Sequence, residues 1–193
     1  MYKPMMFEQI MIEQCSPTMA GLKTGNLFVC PYENKCKLNC NIRKLNMLAV
    51  PKGVRIVPLK FSKNRALIYM YRPEKLAHDL KDPLAAQILD ERDYPVCDTE
   101  LCVSEMLRRL REEEEFPHEV GLFLGYPPED VHGFMTYGPH GAKCVGTWRV
   151  YGDEEKAKER FALYKKCTEH YLKAYRKNAS FDKLVVKSTK NAK

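Results

Sequence analysis

Two β-rich runs, Val54 to Phe61 and Arg65 to Tyr71, stand mid-chain with only Ser62-Lys63-Asn64 between them. So short a connection allows antiparallel pairing and nothing else, so the chain must build a hairpin and a sheet around it. The flanking segments supply strands and helices in irregular order. Residues 5–14 carry a helical pattern, and Ser16-Pro17 has the form of an N-cap and first position of a second, short helix. Leu27 to Cys30 is strand-like, Asn34 to Leu48 helical, and helices are expected at 73–80, 83–92 and, behind an Asp98 N-cap, 99–114.

Val120 to Leu124 and Cys144 to Tyr151 are further expected strands, with two helical turns over Glu129 to Met135 between them. Asp153 should cap a last long helix whose Ala157, Phe161, Tyr164, Cys167, Tyr171 and Tyr175 recur at spacings of three and four. Phe181 to Lys187 reads as an edge strand. An order that is not regular βαβ points to the α+β class: a mixed, mainly antiparallel sheet of about five strands with packed helices. No repeat or composition shift marks a boundary, so the expectation is a single domain over residues 1–187 with a polar basic tail over 188–193.

The longest apolar stretches are only strand-length, so no membrane span is expected. Glu8 and Glu13 interrupt the N-terminal apolar pattern and no small-residue cleavage site follows, which argues against a secretory signal and for a cytoplasmic protein. In a reducing compartment the eight cysteines stay thiols, and metal binding, thiol chemistry or packing must account for them. The formal charge of +7 looks interspersed, since Arg108 to Arg111 runs straight into Glu112 to Glu115. The basic concentration lies in Lys173 to Lys193, read first as a solvated tail; an acidic protein partner is the alternative, and nucleic acid is disfavoured.

Three stretches carry a resemblance: Cys15-Ser-Pro-Thr-Met-Ala-Gly-Leu-Lys-Thr-Gly-Asn-Leu-Phe28; Phe116-Pro-His-Glu-Val-Gly-Leu-Phe-Leu-Gly-Tyr-Pro-Pro-Glu-Asp-Val-His-Gly-Phe134; and Cys144-Val-Gly-Thr-Trp-Arg-Val-Tyr-Gly-Asp153 with Tyr164-Lys-Lys-Cys-Thr168. In this order they resemble a domain-of-unknown-function family of similar length, found mainly in anaerobic Gram-positive bacteria. The resemblance implies a bacterial cytosolic protein and singles out Cys15, Cys144 and Cys167. It implies no activity. Where relatives carry a further cysteine just ahead of Cys144, this chain has Ala142-Lys143.

Cys15 is the sharpest candidate for chemistry. If a helix starts at Ser16-Pro17, its free N–H groups and dipole would favour a thiolate, with Lys23 a turn or two on. A nucleophilic cysteine needs a base, and His118, beside Glu119, is the candidate partner. Cys15, Cys144, Cys167 and His118 together offer three thiolates and an imidazole, a donor set that suits Zn or Fe. Against this stands the plainer reading of buried thiols as small apolar side chains. The spacings Cys30-x5-Cys36-x3-Cys40 and Cys97-x4-Cys102 match no standard metal knuckle. Gly121 to Gly125 lacks a phosphate-binding fingerprint, and Trp148 and the tyrosines of the last helix read as core. Two function classes follow: a cysteine-dependent metal, redox or thiol protein, and a non-catalytic binding or adaptor protein presenting its basic C-terminal surface to an acidic partner or nucleic acid.

Overall fold

The computed structural model describes residues 7–113 and 115–188. The chain forms two compact units: residues 1–73 with 164–193, and residues 74–163. Among the described residues five strands, all antiparallel, lie in two sheets among helices, which is an α+β fold.

The first unit is built on the expected hairpin. β1 (Gly25–Pro31) precedes α2 (Lys35–Ala49), which follows α1 (Phe7–Met19), and β2 (Arg55–Ser62) and β3 (Arg65–Tyr71) complete a sheet of order β1-β3-β2. The loop is tighter than the sequence implies. Strand pairing reaches Ser62 and Arg65, and Lys63 and Asn64 both take positive φ (34° and 65°), as the twist of a two-residue hairpin requires. The side chains of Phe28, Cys30, Ile56, Ala66, Ile68 and Met70 alternate onto one face and bury there against α1, α2 and the C-terminal helical segments. A bulge at Leu59 then shifts the register so that Phe61, opposite Ala66, returns to the core side.

The β2 edge is closed by side chains. Asn46 of α2 donates from Nδ2 to the Ile56 carbonyl (2.8 Å) and accepts from the Ile56 N–H (2.9 Å), substituting for a neighbouring strand. Pro58 removes a further donor.

Two expectations in this unit are corrected. Helix α1 does not break at Ser16-Pro17 but runs on to Met19 with Pro17 inside its last turn, and Gly21, at φ +83°, ends it as a left-handed cap. Phe181 to Lys187 is not an edge strand. It forms a short helix, Phe181–Leu184, then an extended segment whose Val186 N–H bonds the Met19 carbonyl. The tail beyond Ser188, and residues 1–6, lie outside the described residues.

Arg72 ties these pieces together. Its guanidinium donates to the carbonyls of Thr18 (2.6 Å) and Met19 (2.6 Å), which end α1, to the Val186 carbonyl (2.8 Å) and to Ser188 Oγ (2.9 Å). Lys52 adds an ion pair to Asp182 at 2.7 Å.

The second unit holds α3 (Pro73–Asp79, from its second residue on), α4 (Pro83–Asp90), α5 (Thr99–Glu112), α6 (Val120–Phe123) and α7 (Pro128–Tyr137), then β4 (Cys144–Val145), β5 (Arg149–Val150) and the start of α8 (Glu154–Arg176). Asp82 and Asp98 cap α4 and α5 with their carboxylates. The expected strand at 120–124 is the helix α6. All four of its residues are buried, so the apolar run carries no periodicity to separate helix from strand. Cys144 to Tyr151 is likewise a miniature hairpin, turned at Gly146, rather than one strand. Among the described residues no helix is long and apolar enough to cross a membrane.

Arg72→Met removes four charge-assisted hydrogen bonds, two of them to the buried carbonyls of Thr18 and Met19, and is expected to lower unfolding free energy by about 3 kcal/mol. Arg72→Lys, with one compact ammonium in place of a planar fork, should recover only part of that. Urea denaturation measures both; a Met variant within about 0.5 kcal/mol of wild type would contradict the role assigned to Arg72.

Candidate functional site

Because α1 continues through it, Cys15 sits inside a helix, about one turn before its C-terminal end at Met19, rather than ahead of one. The N-terminal field invoked to ionise it is therefore absent, and the dipole at a C-terminal end disfavours a thiolate. Cys15 is wholly buried, and that burial pushes its thiol up to about 12, with the Lys23 ammonium and the Asn26 amide pulling weakly the other way. Asn26 joins the two side chains. Its Oδ1 accepts from Lys23 Nζ at 2.7 Å, while its Nδ2 donates to the Gln14 carbonyl at 2.8 Å and lies 3.9 Å from Cys15 Sγ. Lys23 is itself buried, and desolvation lowers its amine to about 8, opposed by Cys15.

The remaining candidates divide between the units. Cys167 belongs with Cys15 to the first; it is half-buried against the same apolar core, and its thiol is pushed up to about 11 by burial. His118 and Cys144 belong to the second. The His118 imidazole stands edge-on to Phe134 at 4.8 Å, and half-buried Cys144 pairs across β4 and β5 with Val150. Among the described residues no group of three or more His, Cys, Asp or Glu is disposed to hold a metal ion. All eight cysteines are free thiols: Cys36 and Cys40 are exposed on α2, Cys97 is exposed, and Cys30 and Cys102 are buried with Sγ 3.2 Å from the carbonyls of Pro31 and Pro95.

The structure also gives weight to residues the sequence reading passed over. Asp130, in the first turn of α7, has a buried and fully used carboxylate. Oδ2 accepts from the Trp148 indole (2.6 Å), and Oδ1 from the N–H groups of Tyr151 and Gly152 (2.7 Å each), locking α7 to β5. Glu119, named only as a neighbour of His118, is buried as well. Its Oε1 accepts from the Tyr94 hydroxyl at 3.0 Å, and the guanidiniums of Arg92 and Arg109 approach its two oxygens at 3.6 and 3.8 Å. Arg109 also lies over the Tyr94 ring at 4.5 Å, and Glu119 Oε2 has no hydrogen-bond partner. Both carboxylates fall in the motif Phe116 to Phe134.

The charge of the chain is not interspersed at the level of units. Residues 1–73 and 164–193 hold 21 Lys and Arg against 5 Asp and Glu, a formal +16, whereas residues 74–163 hold 11 against 20, a formal −9. Inside the basic unit cations outnumber carboxylates by more than four to one. The acidic unit contrasts with it, for Arg108 pairs with Glu105 and Glu112, Arg109 with Glu105 and Glu113, and Lys158 with Glu154 and Glu155.

Two outcomes follow for the buried pair. In native protein treated with an excess of Ellman's reagent, Cys36, Cys40 and Cys97 should react first and Cys15 last, at the rate of global opening; fast labelling of Cys15 would overturn its assignment as a protonated, buried thiol. Lys23 titrates near 8 folded against 10.5 unfolded, so below pH 8 both states are protonated and the fold carries the full desolvation cost. Between pH 8 and 10.5 the unfolded state binds more protons. The stability of wild type relative to Lys23→Met should therefore rise with pH in that window, by up to about 1.4 kcal/mol per pH unit. A flat difference would show the amine to be solvated.

Residues 11–185 match the model of a family described as a protein of unknown function, DUF3793. No curated protein and no solved structure matches the chain. With that match spanning all three motif stretches, the chain belongs to the DUF3793 family of proteins of unknown function.

Proposed function

We propose that this protein is a non-catalytic binding protein whose basic unit takes up a polyanion. The observation that carries the reading is the excess of 21 basic over 5 acidic residues in one compact unit. Within it Lys37, Arg43 and Lys44 on α2, Lys60, Lys63 and Arg65 at the hairpin, Lys165, Lys166, Lys173 and Arg176 on α8, and Lys177 just after it are all exposed. A surface of this kind repels itself, and a polyanion relieves the repulsion while releasing its own condensed counterions.

The thiol reading has less support. A nucleophile must be ionised and reachable, whereas Cys15 is buried and held protonated, and its neighbours Lys23 and Asn26 are engaged with each other. Cys15, Cys144, Cys167 and His118 stay as candidates for substitution, with metal content of the purified protein as the readout.

Binding of fluorescein-labelled heparin to the full chain, followed by anisotropy, should weaken linearly in log K against log salt concentration. Charge reversal of Lys165, Lys166, Lys173 and Lys177 should weaken it about tenfold or more at low salt, while reversal of Lys158, already paired with Glu154 and Glu155, should leave it unchanged. Absence of binding at low salt, or binding insensitive to salt, would sink the proposal.

A further inference from the structure

We infer that the polyanion is a single-stranded nucleic acid, bound at the end of the three-stranded sheet where the β2–β3 hairpin turns; this rests on the polyanion reading above. Several chain segments meet there. The ladder ends at Pro31 opposite Arg65 and at Ser62 opposite Arg65, and the Tyr32 N–H bonds the Asn64 carbonyl at 2.9 Å, so the start of the β1–α2 connection is pinned to the hairpin tip. Lys60, Lys63 and Arg65 project from the hairpin, and Lys35 and Lys37 from the first turn of α2. All five are exposed. Glu33 is the single acidic residue in the segments 31–37 and 60–65.

Aromatic rings lie on the α2 side of this end beside Lys35, while Lys60 and Arg65, alternating with Phe61 and Ala66, project from the opposite face of the sheet. Tyr32 meets Phe61 edge-on with centroids 5.5 Å apart, and Lys35 Nζ stands 4.5 Å from the Phe61 centroid. Both rings are only partly buried, bordering the core rather than filling it. The Leu59 bulge is what brings Phe61 to that side, and the positive-φ turn at Lys63-Asn64 holds the tip in one shape.

The mixture selects the ligand. Carboxylates of an acidic protein would engage the cations and leave the rings unused, and a duplex hides its base faces inside the stack. An unpaired strand passing round the hairpin tip at Lys63 uses both, its phosphates on the lysines and arginine and a base on the Tyr32 ring. Sequence preference should be slight, because stacking is available to every base.

The test compares oligo(dT), a duplex of the same length and heparin as anisotropy probes on the full chain. Oligo(dT) should bind about tenfold more tightly than the duplex. The Lys60→Glu, Lys63→Glu, Arg65→Glu triple variant should lose about tenfold in oligo(dT) affinity and reduce the log–log salt slope by about 2, three phosphate contacts at roughly 0.7 each. Tyr32→Leu, checked to melt with wild type, should lose about tenfold on oligo(dT) and nothing on heparin, while Tyr32→Phe retains wild-type binding. If heparin binds but oligo(dT) is indifferent to Tyr32→Leu and to the triple reversal, the platform is wrong and the polyanion reading stands. If wild type binds neither probe, both fall.

Discussion

The first unit is assembled from the two ends of the chain, and the Arg72 guanidinium is what closes it. Two of its bonds satisfy carbonyls at the C-terminal end of α1, where a helix always leaves acceptors unpaired, and two others reach the C-terminal segment at Val186 and Ser188. A cation at that position complements the helix dipole, so the buried charge needs no carboxylate beside it. Burial works against the charge and lowers the guanidinium below its ordinary value, but a group titrating so high stays ionised throughout the physiological range. The sheet, α1 and the returning chain end are thereby fixed to one another by a single side chain at the end of β3.

Which parts of this were legible follows from which forces act locally. The hairpin was, because alternation and a short turn are properties of neighbouring residues. So were α4, expected from residue 83 on, and α5, announced by Asp98, whose carboxylate caps the first N–H groups as its position implies. Ser16-Pro17 misled because the same dipeptide that opens a helix is tolerated in a last turn when the surroundings bury it. There Ser16 Oγ turns back to the Ile12 carbonyl, and Gly21 supplies the true stop. Val120 to Leu124 misled for a different reason: with no solvent-facing side, a buried helix and a buried strand leave the same apolar record. The Leu59 bulge that reorients Phe61 has no sequence signature at all.

The candidate site was half legible. Identifying Cys15 as a motif residue was possible from sequence; its protonation state was not, since that depends on which end of a helix it occupies and on how completely the core covers it. Asp130 and Glu119 were invisible as buried carboxylates because acidic residues in a first turn or a loop are normally solvated. Their partners Trp148, Tyr151 and Tyr94 lie 18, 21 and 25 positions away. The charge division is readable in the sequence. The first 73 residues alone hold twelve basic and three acidic side chains, but a count over the whole chain dilutes this with the acidic stretch that follows.

These observations bear on why a chain with eight cysteines is better understood through its lysines. A thiol becomes chemically distinctive only when its surroundings lower its pKa, and burial raises those of Cys15, Cys30, Cys102 and Cys167. Their common behaviour is that of small apolar side chains filling a core. The basic residues do the opposite of what a purely structural surface requires. A fold gains nothing from gathering 21 cations around five carboxylates, and the mutual repulsion lowers its stability. Relief of that repulsion, rather than any single residue, is the physical argument for the polyanionic partner proposed above.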